Sequence, residues 1–119
     1  MEEYIHVNPD ITKFKEYTSL AIDSKDNIYV SAQSSILIFN KALKKARRIK
    51  TEEPAYCIEV GNDSLIYAGF KNYVMFFNRA GELLNTLKFD NKKTIITAIC
   101  NTENYIFVAD AGTRNIKRF

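Results

Sequence analysis

The chain repeats itself. Ile28-Tyr29-Val30 returns as Ile66-Tyr67-Ala68 and again as Ile106-Phe107-Val108, at spacings of 38 and 40 residues. Phe39-Asn40-Lys41-Ala42 likewise returns 38 residues later as Phe77-Asn78-Arg79-Ala80. A fixed period near 40 residues, carried by β-branched and aromatic runs, belongs to stacked sheet units, none of which can bury its apolar surface alone. Such a repeat constrains architecture far more than chemistry.

Each unit contains short strand-like runs separated by turn chemistry. In the first, Thr18–Ile22, Ile28–Ala32, Ile36–Phe39 and Lys45–Lys50 are parted by Ser24–Asn27, Gln33–Ser35 and Asn40–Lys44. The second repeats the scheme with Tyr56–Val60, Leu65–Phe70, Tyr73–Phe77 and Leu83–Lys88, and the third with Ile95–Cys100, Tyr105–Ala109 and Asn115–Phe119. Ile36–Phe39 and Tyr73–Phe77 are apolar on both faces, so each needs cover on two sides. Lys41–Lys50 has apolar spacings that a helix could use. The aligned segment Arg79–Lys88 carries Gly81 and Asn85, so both read as turn plus outer strand. The expected fold is all-β, a partial β-propeller of about three four-stranded antiparallel blades. The blades would span residues 18–50, 54–89 and 95–119, the last lacking its outer strand. Residues 1–17 would form an N-terminal segment with an orphan outer strand at Tyr4–Val7, able to supply the strand missing from the last blade.

The 119 residues carry 17 basic and 14 acidic side chains, a net charge of +3 that is too mild to argue for a nucleic-acid partner, and none is expected. No apolar run is long enough to span a bilayer, and Met1-Glu2-Glu3 does not open a signal peptide, which slightly favours the cytoplasm. Cys57 and Cys100, with one histidine (His6) in the chain, form neither a zinc motif nor a disulfide framework; both read as small buried thiols. No cofactor is expected.

Ile96-Thr97-Ala98-Ile99, followed by Tyr105–Asp110, Ala111-Gly112-Thr113-Arg114 and Asn115–Phe119, resembles the NHL repeat of mostly six-bladed propellers. The third unit matches well, the first fairly and the second in part. Only the third keeps the Asp-x-Gly turn; the first has Ala32-Gln33-Ser34 and the second Phe70-Lys71-Asn72. The resemblance implies protein docking, single-stranded RNA binding, or lactone or ester hydrolysis at a metal in the channel of related folds.

Glu59, mid-strand where the aligned residues are Ala21 and Cys100, is the candidate metal ligand, but one carboxylate is not a calcium site. The alternative is a carboxylate held by hydrogen bonds at a blade face. Asp110 and Arg114, with Lys71 of the second unit, are candidate binding residues on loops. Turn chemistry accounts equally for Asp110, with Gly112 supplying a positive φ. The six cations of Lys41–Lys50 fall on an outer strand, where lysines also prevent edge-to-edge pairing. The expectation is a non-catalytic binding or scaffold module with a protein partner. The alternatives are a fragment of a metal-dependent lactonase-like hydrolase, or an RNA-binding propeller. Three blades cannot close a ring, so a homodimer completing six blades is also expected, unless the chain is part of a longer propeller.

Overall fold

A computed structural model describes residues 17–61 and 65–119; the expected strand Tyr4–Val7 and His6 lie outside the described residues. Eleven strands are described, and no helix long and apolar enough to cross a membrane occurs among these residues. The first sheet is an antiparallel meander of β1 (Tyr17–Ile22), β2 (Ile28–Ala32), β3 (Ser35–Phe39) and β4 (Lys45–Lys50). The second repeats it with β5 (Cys57–Val60), β6 (Ile66–Gly69), β7 (Tyr73–Phe77) and β8 (Leu83–Lys88). The third contains β9 (Ile96–Asn101), β10 (Ile106–Asp110) and β11 (Asn115–Arg118). This is the all-β, blade-like architecture that the repeat predicts, and Lys45–Lys50 is a strand rather than a helix.

Strand register makes the equivalence of the units concrete. Tyr29, Tyr67 and Phe107 stand opposite Ala21, Glu59 and Cys100, respectively. Ile28 and Ile66 stand opposite Phe39 and Phe77, and Ile106 exchanges two backbone hydrogen bonds with Phe119. Because side chains alternate along a strand, each sheet has a forward face, toward the next unit, and a rear face. The forward face of the first sheet, with Tyr29, Ile36 and Ile38, packs on Ile58, Ile66, Ala68 and Phe77 of the second. The forward face of the second, with Cys57, Tyr67 and Val74, packs on Ile96, Ile99 and Val108 of the third. Burying a large apolar side chain contributes about 1.5–3 kcal/mol, whereas a hydrogen bond nets about 1 kcal/mol. These two apolar junctions therefore dominate cohesion between sheets. Polar links add register: Ser31 Oγ donates to Ala55 O at 3.1 Å, the Ile58 amide donates to Ser19 Oγ at 3.2 Å, and Thr18 Oγ1 donates to Ala55 O.

The equivalent isoleucines are not equally covered. Ile66 is buried, but Ile28 and Ile106 are half-buried. Ile28 faces away from the second sheet. Ile106 sits beside Phe119, where no fourth strand is present among the described residues.

Two positions show how small residues permit this stacking and its turns. A Cβ on Gly69 would lie 2.6 Å from Cys57 Sγ and 2.9 Å from Ile96 Cγ2, so the third sheet approaches closely only over a bare backbone. In the β7–β8 turn, Gly81 has φ 87°; at the same place in the β3–β4 turn Leu43 takes φ 64°, a conformation costly for a residue with a Cβ. Gly69→Val is expected to cost about 1–3 kcal/mol by overpacking the second junction. Leu43→Gly is expected to be neutral or stabilising by up to about 1 kcal/mol, and Gly81→Leu destabilising. Urea unfolding midpoints of the three variants check this ordering.

Candidate functional site

Glu59 lies on the inner strand β5, half-buried on the forward face, and its Oε1 accepts a hydrogen bond from the Val60 amide at 3.0 Å. No group of three or more His, Cys, Asp or Glu side chains is gathered as a metal centre would require, among the described residues. The contact seen for Glu59 is a local one, to the backbone of its own strand.

Asp110, at the end of β10, is 1 % exposed. Its Oδ1 accepts from the Ile95 amide at 3.0 Å and from the Thr113 amide at 3.2 Å, and Lys117 Nζ stands 3.8 Å from Oδ2. Burial by itself would raise its pKa, but the amide of Ile95, together with Thr113 and Thr94, lowers it to about 2. The carboxylate thus ties the β10–β11 turn to the segment that leads into β9, which the Ala111 amide reinforces by donating to Ile95 O. Gly112 is needed for a different reason from the one its sequence context suggests. Its φ is not positive; the positive φ of this turn, 59°, belongs to Arg114. A Cβ on Gly112 would lie 1.4 Å from Lys93 O, so the backbone there touches backbone.

Arg114 is exposed at the tip of this turn, and Lys71 is exposed on the equivalent turn of the second sheet, its carbonyl accepting from the Ile96 amide at 3.1 Å. Both candidates therefore lie on the same end of the stack, where β2–β3-type turns meet the connectors between sheets. Asp110 is buried at the end of β10. Arg114 and Lys71 thus occupy equivalent turns of neighbouring sheets, and Asp110 holds its turn. On the outer strand β4, Arg47, Arg48 and Lys50 are exposed.

The expectation that three blades cannot close a ring implies an exposed end face, and the third sheet presents one. Its forward face carries Ala98 and Cys100 of β9, Phe107 and Ala109 of β10, and Ile116 of β11. Ile116 is 73 % exposed, and Ala98 and Cys100 are exposed. Cys100 thereby departs from the expected buried thiol, whereas Cys57, covered by the junction, conforms; burial pushes its pKa up to about 11. At the end of this face Tyr105 and Phe107 lie 6.2 Å apart, and the Arg118 guanidinium sits 4.6 Å from the Tyr105 ring centre. Beside the face, β11 pairs with β10 alone among the described strands, whereas β3 and β7 also pair with β4 and β8. The signal was present in the alignment, because Ile116 occupies the place of the buried Val74.

No protein-family model matches the chain, and no curated protein matches it by sequence. Solved structures match its fold. A catalytically inactive virginiamycin B lyase from Staphylococcus aureus, with quinupristin, superposes with TM-score 0.70 and 11% identity, over 87% of this chain and 40% of that one. Saccharomyces cerevisiae Sqt1 gives TM-score 0.70 at 16% identity, over 96% and 34%. Kluyveromyces lactis Hsv2 gives 0.67 at 16%, over 87% and 32%. These neighbours are β-propeller proteins, and the chain has their fold over about a third to two fifths of their length. It is a β-propeller-type module.

The Asp110 turn makes two expectations. Asp110→Ala is expected to cost about 1–3 kcal/mol, because buried amides lose their acceptor. Gly112→Ala is expected to cost about 3 kcal/mol or more, because backbone must move. The folded-state pKa of Asp110 lies below its ordinary 3.8, so its contribution is present above about pH 4 and is lost as pH falls toward 2. Thermal melts from pH 5 to pH 2 should show an acid-induced loss of stability that is shallower in Asp110→Ala than in the parent chain.

Proposed function

We propose that this chain is a non-catalytic binding module whose third sheet docks a protein partner. The observation that carries the reading is the exposed forward face, with Ile116, Ala98 and Cys100 beside Phe107, bordered by Tyr105 and Arg118. Exposed contiguous apolar surface marks interaction sites, and tyrosine and arginine are the side chains that most often anchor protein interfaces. Glu59, Asp110, Arg114 and Lys71 supply no shared reaction centre in this reading: Glu59 stays with its own backbone, Asp110 holds a turn, and Arg114 and Lys71 are exposed on equivalent turns of neighbouring sheets.

The test uses a photo-crosslinking amino acid at position 116, with position 82 on the β7–β8 turn as control, followed by reconstitution with the purified crosslinked protein. A partner that crosslinks from 116 and not from 82, and whose affinity drops about 30-fold with Ile116→Lys at unchanged thermal stability, is the expected result. Equal or absent crosslinking at the two positions overturns it. Single-stranded RNA binding that weakens steeply with salt and is abolished by Arg47→Glu with Arg48→Glu would instead assign the function to β4.

A further inference from the structure

We infer that the cleft between β4 and the β7–β8 turn is a second docking surface, whose occupant is an acidic segment of a partner protein carrying leucine or phenylalanine. This surface shares no residue with that of the third sheet and goes beyond that reading.

The outer strands β4 and β8 hold the same place in their sheets, yet their chemistry differs. β4 reads Lys-Ala-Arg-Arg-Ile-Lys, and β8 reads Leu-Leu-Asn-Thr-Leu-Lys. If cations on an outer strand served only to prevent edge-to-edge pairing, both strands would need them. β8 has Lys88 alone, so the architecture does not account for the basic content of β4. Arg47, Arg48 and Lys50 of β4 are exposed, as are Lys41 and Lys44 of the turn before it and Arg79 of the β7–β8 turn. Among the described residues the one ion pair joins Lys117 and Asp110, so no carboxylate pairs with these cations there. Burial pushes the Tyr29 pKa up to about 12, helped by its bond to Asp23, while Arg79 and Arg47 oppose the rise. Guanidinium groups from two sheets thus lie within electrostatic reach of the same hydroxyl.

Beside these cations the surface is concave. The cleft encloses about 360 Å³, toward the lower end of the roughly 300–1,000 Å³ of ligand pockets. Ile49, Met75, Phe77 and Leu83 line it, with Arg48 and Lys50 on the β4 side. The turn stands close to β4 because Gly81 has no side chain; a Cβ there would lie 3.1 Å from Ile49 Cγ1. Ile36, Ile38 and Ile66 fill the junction behind, so the two walls are held before anything binds. Of the nearby carboxylates, Glu82 accepts from the Asn78 side chain at 3.4 Å, and Glu52 is the one that lines the cleft.

An apolar cleft bordered by cations selects a segment that is acidic and apolar at once. Carboxylates form charge-assisted, often bidentate bonds with arginine, and a leucine or phenylalanine on the same segment gains by leaving water. Single-stranded nucleic acid would need exposed rings to stack its bases, and the rings here, Tyr29 and Phe77, are buried. With a net charge of only +3, the attraction belongs to this surface rather than to the whole chain.

Fluorescence anisotropy with the full chain tests the inference, using labelled synthetic peptides of aspartate and glutamate with leucine at every third position. A dissociation constant of about 1–100 μM is expected at about 0.1 M salt. Replacing the acids by their amides, or the leucines by serine, should each weaken binding about 10-fold or more. Arg47→Glu with Arg48→Glu should weaken it about 30-fold, and Leu83→Ser about 5-fold, with folding checked by circular dichroism. Lys88→Glu with Lys92→Glu changes the net charge equally but leaves the cleft intact, and should stay within about 2-fold of the parent. No binding below 1 mM overturns the inference. An equal loss with the Lys88 and Lys92 pair also overturns it, because net charge then suffices. Indifference to serine in the peptide and to Leu83→Ser overturns it as well, because the cleft is then empty. So does tighter binding of a single-stranded oligonucleotide or of anionic lipid vesicles than of any acidic peptide.

Discussion

The structure depends on one constraint: its sheets are apolar on both faces, and neither face can be left in water without loss. β3 is buried along its whole length, Ser35 to Phe39, and β6 likewise from Ile66 to Gly69. A strand with one wet face alternates; these do not. The only way to cover two faces of a small sheet with residues from the same repeat is to stack the repeats. The second sheet, held between the other two, has the most complete burial.

Polar chemistry in this molecule serves the stack before it serves any ligand. Asp23 accepts hydrogen bonds from the Lys25 and Asn27 amides and from the Tyr29 hydroxyl, and Asn40 and Asn78 each hold the turn that follows them. Asp110 does the same while also reaching Ile95. Tyr73 reaches across to Glu53 at 2.8 Å, tying the second sheet to the connector that enters it. Burial and that carboxylate push the Tyr73 pKa up, and burial followed by the Asp23 bond pushes Tyr29 up to about 12, so both hydroxyls stay protonated donors through the neutral range. Asp23, Glu53 and Asp110 are thus held by turns and connectors.

The solved neighbours share the architecture at identities of 11–16%, which reflects how little of a blade's sequence its geometry demands. Apolar residues of suitable size in a four-strand rhythm are enough, and side-chain identity can drift as long as the junctions remain filled. That tolerance leaves function to the faces and loops, which differ freely from one propeller to another.

The amino-acid sequence by itself determined the class and its rhythm. The returns of Ile-Tyr-Val and Phe-Asn-Lys-Ala, and the two-sided apolar runs, required stacked antiparallel sheets, because period and polarity are local properties that a strand carries with it. It also marked the turn at Asp110 correctly as a turn. Only the tertiary structure decided why Gly112 is a glycine, since Lys93 O, 19 residues earlier in the chain, comes within reach of its missing Cβ. Only the tertiary structure separated buried Cys57 from exposed Cys100, and buried Val74 from exposed Ile116. Burial is a property of what lies opposite a residue. A chain can state that a face is apolar, but whether that face is a core or a docking surface depends on whether another sheet stands in front of it.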